Sequence, residues 1–166
     1  MKAIRKILVP TDFSDLSLAA MEYATSLATL DDAEIYLIHV VENVPAVAFH
    51  TVDLDAEAIV RNAEKKALEE LKQFIAEKLN GRTDLIPIVR CGIPHEQIVD
   101  FAKREHVDLI VMATHGRTGL AHVLMGSVVE KVVRESTIPV LTVKPERVQW
   151  ALLKERDLQE QLHLNL

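Results

Sequence analysis

The chain has 166 residues, 49% of them hydrophobic, which is about one domain's worth of chain with enough apolar material for one core. Its 19 basic and 25 acidic residues give a net charge of −6, which argues against a nonspecific nucleic-acid surface or an anionic-membrane surface. The single cysteine, Cys91, excludes an intramolecular disulfide framework and a metal cage made of cysteines alone. It is typical of a reducing compartment, and we expect it to be a small buried residue.

The first ten residues, MKAIRKILVP, contain only a short apolar run that ends at the proline. No apolar run in the chain approaches the roughly 18 residues needed to span a bilayer, and no signal-peptide cleavage pattern follows the start. The sequence therefore predicts a cytoplasmic protein with no membrane segment.

Apolar, β-branched runs alternate with stretches of helical periodicity along the chain. Strands are predicted at Ile4 to Val9, Glu34 to Val41, Leu85 to Arg90, Asp108 to Ala113 and Pro139 to Val143. Helices are predicted at about Ser14 to Leu30, Asp55 to Leu79 and His95 to Glu105, and from Gly126-Ser127 onward. Because the strands are apolar throughout, we expect a doubly wound α/β fold, a five-stranded parallel sheet with helices on both faces, as in Rossmann-like domains.

The 23 residues after Val143 are more than the sheet needs. They look helical from about Glu146, with Ala151, Leu158 and Leu162 on a thin apolar stripe. Such a helix could pack on its own domain or on a partner subunit, or it could be a regulatory tail. We therefore divide the chain into a domain at 1–144 and a helical tail at 145–166.

In parallel sheets of this kind, ligands bind beyond the carboxyl ends of the strands. That rule brings Pro10 to Asp12, Val40 to Val41 and Ala113 to His115 to one rim. Asp12 could accept hydrogen bonds from a ribose or an adenine, bind a metal, or only cap the first helix. The capping and ligand roles are compatible with each other.

A loop with hydroxyls, a guanidinium and two glycines, Thr114 to Gly119, follows the fourth strand. Nine residues separate Gly116 from Gly126, and Ser127 follows directly. Small residues, free N–H groups at a helix start and a hydroxyl together predict an anion site. The alternative is a surface loop whose glycines serve only its turns. The pattern matches neither the P-loop nor G-x-G-x-x-G.

The remaining candidates for chemistry are weak. The seven histidines show no metal-ligand spacing, and His39, inside a strand, is expected to be a core residue with a hydrogen-bond partner. Ser127 lacks the glycine that follows the serine in G-x-S-x-G. No nucleophile-base pair therefore supports an enzyme.

In combination these residues resemble the universal stress proteins. ATP-binding members of that family carry G-x-x-G, nine residues, then G-S/T, an apolar helix and a P-V-L-x-V strand. Here the corresponding stretches are Ala113-Thr114-His115-Gly116, nine residues, Gly126-Ser127, and Pro139-Val140-Leu141-Thr142-Val143. The opening, from Ile7 to Ser14, also looks like the family's. The resemblance covers about residues 1 to 144 and implies the adenine nucleotide alpha hydrolase-like variant of the Rossmann-like fold.

The resemblance implies an ATP site, with or without Mg²⁺. It implies Pro10, Thr11 and Asp12 around adenine and ribose, Val40 on the adenine, and phosphates on the Gly116 to Ser127 loop. The implied set is Pro10, Thr11, Asp12, Val40, Met112, Ala113, His115, Gly116, Arg117, Gly126, Ser127 and Val128, with His115 and Arg117 as phosphate neighbours by charge and position. Ala113 stands where the family pattern has its first glycine, and its methyl group could crowd a ligand.

The resemblance further implies a stress-response protein that acts as a nucleotide-dependent regulatory or interaction module, with slow or no ATP hydrolysis. It implies a homodimer through antiparallel pairing of the last strand, Val140 to Val143, and a protein partner that the sequence does not identify. An exposed strand edge needs covering, which makes such a dimer physically reasonable.

Two alternatives stay open. One is a nucleotide-free dimeric interaction protein of the same fold, which Ala113 favours. The other is a phosphorylated receiver domain, supported by Asp12, Thr114 and Lys144. The receiver interpretation is weak because Arg90-Cys91-Gly92 occupies the position of the acceptor aspartate.

Overall fold

The computed structural model describes residues 3–42, 56–114 and 126–144. In chain order the elements are β1 Lys6–Pro10, α1 Asp15–Asp31, β2 Glu34–Val41, α2 Ala56–Lys78, β3 Leu85–Cys91, α3 Pro94–Arg104, β4 Leu109–Ala113, α4 Ser127–Glu135 and β5 Val140–Val143. The strands form one parallel sheet in the order β3-β2-β1-β4-β5. The predicted α/β fold is confirmed. The predicted tail at 145–166 lies outside the described residues.

Two separate cores explain why the strands are apolar along their whole length. Ile7 and Val9 of the central strand β1 face a cluster formed with α1 and α2, while Leu8 between them faces a cluster formed with α3 and α4. All three side chains are completely buried. Because successive strand residues point to opposite faces, a strand covered on both sides must be apolar at every position.

Carboxylates accept backbone hydrogen bonds at the amino edge of the sheet. The backbone N–H groups of Arg5 and Lys6 donate to Asp108 Oδ2 over 2.9 and 3.2 Å, and the N–H of Ile4 donates to Asp31 Oδ2 over 2.9 Å. These bonds occupy the first residues of two predicted strands. β1 begins at Lys6, two residues after the predicted Ile4, and β4 begins at Leu109, one residue after the predicted Asp108.

The start of α1 shows that Asp12 does not cap this helix directly. Ser14 is the N-cap, and its hydroxyl accepts from the N–H of Ser17 over 3.3 Å. Asp12 Oδ1 in turn accepts from the Ser14 N–H over 3.1 Å and from the Ser14 hydroxyl over 2.6 Å. Asp12 therefore holds the cap residue in position and is not itself the cap.

Candidate functional site

The sheet order creates a crevice at the carboxyl ends of β1 and β4. From β1 the chain moves one way through β2 and β3, and it then crosses back to β4 on the other side of β1. The connections that leave β1 and β4 therefore diverge, which is where ligands bind in open α/β sheets. The predicted site residues that the structure describes at this edge are Pro10, Thr11, Asp12, Val40, Met112, Ala113, Gly126, Ser127 and Val128. His115, Gly116 and Arg117 lie outside the described residues.

A cleft of about 640 Å³ opens at the same edge, over the end of β3 and the N-termini of α3 and α4. Its described lining consists of Glu42, Val60, Cys91, Gly92, Ile93, Pro94, His95, Ser127, Val128 and Lys131. Of the predicted site residues, only Ser127 and Val128 are among them. The volume lies within the range of small-molecule sites.

The α4 N-terminus supplies the cleft with hydrogen-bond donors. The Gly126 N–H donates to the Thr114 carbonyl over 2.8 Å, which joins α4 to the end of β4. The next three amides, of Ser127, Val128 and Val129, have no acceptor among the described residues, and no side chain caps this helix start. Such amides carry the positive end of the helix dipole and attract anions. Lys131, one turn further on, adds a positive charge to the same wall.

The backbone conformation of Gly126 does not require glycine, but the space beside it is limited. Its φ of −64° is accessible to any residue. A Cβ built there would lie 3.4 Å from the Thr114 carbonyl oxygen, at the limit of an ordinary contact. A methyl group is therefore tolerated, whereas a branched side chain has to extend away from Thr114.

The methyl group of Ala113 lies in the core on the α1 side of the sheet. Ala113 is buried in the cluster that contains Val9, Val111 and Val143. Met112, its neighbour in β4, instead faces the α3 and α4 side, where Val128 also packs. The expectation that this methyl group could crowd a ligand is therefore not supported for a ligand in the cleft.

The polar groups of Thr11 form hydrogen bonds within the fold. Its N–H donates to the Ile38 carbonyl over 2.9 Å, and its hydroxyl lies 2.9 Å from the Ser17 hydroxyl. The same hydroxyl accepts from the Phe13 N–H over 3.1 Å. Because its carbonyl also has a partner, in His39, and the residue is buried, Thr11 offers a ligand little more than van der Waals contact.

His39 lies at the rim and not inside the core. It is half-buried, its ring stacks on Phe13 with centroids 4.1 Å apart, and its Nδ1 lies 2.9 Å from the Thr11 carbonyl oxygen. A carbonyl oxygen only accepts, so Nδ1 is the donor in this bond. The predicted hydrogen-bond partner is thus present, but the predicted core position is wrong.

Sequence reasoning missed the part of the cleft that follows β2 and β3. Glu42 comes directly after β2, and Gly92 and Ile93 connect β3 to α3. The rule used for β1 and β4, that ligands lie beyond the strand ends, applies equally to these positions.

His95 is 12% exposed, and its Nε2 lies 3.6 Å from Glu135 Oε2, which links the start of α3 to the end of α4.

Cys91 is half-buried at the cleft wall, so the expectation that it is a buried residue is wrong. Burial, followed by the negative charge of Glu64, raises the pKa of the Cys91 thiol above its ordinary value. The neutral thiol is therefore the form present near pH 7.

The described residues contain no cluster of three or more His, Cys, Asp or Glu side chains that could hold a metal ion.

Comparison with known proteins identifies the family. The model of the universal stress protein family matches residues 3–144. The chain belongs to the universal stress protein family. Universal stress protein MJ0531 of Methanocaldococcus jannaschii is 39% identical over 84% of this chain and 82% of its own length. Universal stress protein MJ0577 of the same organism is 34% identical over 84% of this chain and 94% of its own length.

Solved structures of universal stress proteins share the fold. The structure of MJ0577 superposes with a TM-score of 0.70 at 34% identity, covering 86% of this chain and 97% of that one. A crystal structure of a universal stress protein in complex with cAMP superposes with a TM-score of 0.56 at 29% identity, covering 86% of this chain and 98% of that one.

Among the described helices, none has the length and apolar character required to cross a membrane.

The raised pKa of Cys91 predicts slow alkylation at neutral pH. Because the thiolate is the nucleophile, the rate with iodoacetamide should be several-fold lower than in the urea-unfolded chain at about pH 8, and it should still be rising at a pH at which the unfolded-state rate has levelled off. Mass spectrometry of the alkylated protein measures both rates. A folded-state rate that levels off at a lower pH than the unfolded-state rate would contradict the assigned direction.

Proposed function

We propose that this universal stress protein binds ATP at the carboxyl edge of its sheet and acts as a nucleotide-dependent regulatory or interaction module. The observation that carries the proposal is that the α4 N-terminus, with its amides and the Ser127 hydroxyl, borders a cleft of about 640 Å³. A cleft of that volume suits a ligand of nucleotide size. The cAMP complex of a related family member supports an adenine nucleotide as the ligand class.

The phosphates are proposed to bind at the start of α4. The amides of Ser127 and Val128 favour phosphate oxygens, and Lys131 contributes positive charge from the same wall. We propose the following residues as their remaining neighbours: His115, Gly116, Arg117 and Gly126.

The adenosine is proposed to bind along the ends of β1, β2 and β4. Val40 and Met112 pack with Val128 on the α3 and α4 side of the sheet, which gives a base an apolar surface. A carboxylate has about four acceptor positions, so the bonds from Ser14 to Asp12 are compatible with a further bond from a ribose hydroxyl. The remaining contacts proposed are Pro10, Thr11 and Ala113, the last through its backbone.

We propose that Mg²⁺ binds only together with ATP. Mg²⁺ typically retains several waters and binds through substrate phosphates and one or two carboxylates, so it needs no cage of protein ligands. We assign no catalytic residue, and hydrolysis is not part of the proposal. A cytoplasmic location stays a prediction from the sequence.

The nucleotide-free alternative has lost its specific support. Ala113 favoured it because of the added methyl group, and that methyl group lies in the core on the α1 side. We therefore propose ATP binding in preference to the nucleotide-free alternative.

A homodimer through β5 is also proposed. β5 is an edge strand, and its residues Val140, Leu141 and Thr142 are only partly buried. The carbonyls of Pro139 and Val143 accept from β4, so the N–H groups of Val140 and Thr142, by alternation along the strand, face the open edge. The other edge strand, β3, contains Pro87, which cannot donate a backbone hydrogen bond. β5 is therefore the edge better suited to pairing with a second chain.

Equilibrium binding of labelled ATP with Mg²⁺ tests the main proposal. Saturable binding is expected, and Gly126→Val should weaken it about tenfold or more, because its side chain would occupy the phosphate space. Gly126→Ala is the control, with stability close to that of the unchanged protein. The proposal fails if no saturable binding occurs at millimolar nucleotide. Unchanged affinity in a folded Gly126→Val variant would show that the phosphates lie elsewhere.

Ala113→Gly separates stability from binding. Loss of a buried methyl group and the added chain freedom of glycine should cost about 1–2 kcal/mol of unfolding free energy. ATP affinity should stay within about twofold or improve, since the methyl group faces the α1-side core. Urea denaturation and ATP titration of the same sample measure both. A marked loss of affinity would mean that the pocket wall is misassigned.

Thr142→Pro tests the dimer. The substitution removes an N–H group that faces the open edge and no N–H group used by β4, so it should give monomers with an intact fold. Light scattering with circular dichroism measures the mass and the fold. Thr142→Ala retains the N–H group and should remain dimeric. A monomeric unchanged protein, or a dimeric proline variant, would rule out pairing through β5.

A further inference from the structure

α1 has an apolar flank that the described residues leave open. Leu30 is 78% exposed and Tyr23 is 56% exposed. Leu16 and Leu27, which are half-buried, lie on the same flank at 3.6 residues per turn. The neighbouring helix α2, in contrast, presents charged residues such as Lys65, Lys66 and Glu69 to solvent.

The open flank faces the β5 side of the molecule. On the opposite flank of α1, the Arg82 guanidinium donates to Thr25 Oγ1, so that flank faces the end of α2. α1 packs on β4 and β5 as well as on β1. Leu141 of β5 packs against the same core cluster as Leu27 and is only partly buried. α1 and β5 therefore present adjacent apolar surfaces, which we call the groove.

The hydroxyls of α1 do not make its surface strongly polar. Thr25, Ser26 and Thr29 donate to the carbonyls of Met21, Glu22 and Ser26 over 2.8, 3.0 and 2.7 Å. Donors used inside the helix in this way are not available to water. The charged residues of α1 are all acidic: Asp15, Glu22 and Asp31.

We propose that residues 146–166 of the same chain form a helix that binds in this groove. The segment follows Lys144 at the carboxyl end of β5, beside the groove, and α1 also starts at that edge of the sheet. A helix of this length would extend roughly 31 Å at 1.5 Å per residue, against roughly 25 Å for α1. The segment is therefore long enough to run beside the whole of α1.

The composition of the segment fits the groove. Its predicted stripe of Ala151, Leu158 and Leu162 matches an apolar flank that has no charged member.

The segment is also an addition to the shared domain. The family match ends at residue 144, and MJ0577 and YxiE of Bacillus subtilis are matched over 94% and 98% of their own lengths by only 84% of this chain. The groove is thus proposed to be covered by a part of the chain that those relatives do not share.

Hydrogen exchange of the full-length protein tests the docking. Backbone amides between 146 and 166 should be protected at least tenfold relative to an unstructured peptide. Leu30→Glu should abolish that protection, whereas Thr29→Glu, which adds the same charge to the adjacent exposed position, should preserve it. Leu30 is largely exposed, so its replacement leaves the domain folded. Unprotected amides in the unchanged protein, or equal effects of the two variants, would overturn the proposal.

Disulfide formation tests whether the groove belongs to the same chain. In a Cys91→Ser background, Leu30→Cys with Leu162→Cys should give a monomeric cross-link on mild oxidation, because both positions lie a similar distance from the carboxyl edge. Leu30→Cys with Glu160→Cys is the control, since 160 falls on the other side of the predicted helix. Nonreducing electrophoresis distinguishes the products. Cross-links between chains, or equal yields from both pairs, would overturn the proposal.

Discussion

The hydrogen bonds of Thr11 join three elements at the carboxyl edge, and the geometry of the rim depends on them. Its N–H and carbonyl bind the backbone and a side chain of β2, and its hydroxyl binds Ser17 of α1. In a buried position each of these groups would cost roughly 1–3 kcal/mol if it lost its partner. The ends of β1 and β2 and the start of α1 therefore hold one another in a single arrangement. Asp12 and Phe13 follow Thr11 directly, so this arrangement also fixes their positions.

Two backbone hydrogen bonds of Thr114 join the elements of the other half of the rim. The Thr114 N–H donates to the Val143 carbonyl over 2.8 Å, and the Thr114 carbonyl accepts from Gly126 at the start of α4. A single residue therefore fixes the end of β4 against β5 and the start of α4 against β4. Backbone bonds of this kind do not require a particular side chain at Thr114. What they require is room at Gly126, which explains why a small residue precedes the helix.

Much of the fold could be predicted from the sequence because burial on both faces leaves an unmistakable pattern. The run Ile7-Leu8-Val9 has no polar side to turn toward solvent, so it has to be a central strand. The face of Ala113 could also have been predicted, by counting two residues from Val111. The choice of Ser14 over Asp12 as the cap could not, because it follows from Phe13 taking a φ of 64°, which phenylalanine rarely adopts. The partial exposure of Cys91 at the cleft wall likewise could not be predicted, because it depends on tertiary packing that no local pattern encodes.

The two edges of the sheet differ in a way that bears on assembly size. β5 has donors on its open side, whereas β3 carries Pro87 in the middle of its edge. If two copies pair through β5, both outer edges of the joined sheet are β3 strands. A further strand that adds to either side then finds one backbone donor missing in the middle of the edge. The placement of one proline would thereby disfavour growth beyond two chains and so oppose the conversion of a ten-stranded sheet into a fibre.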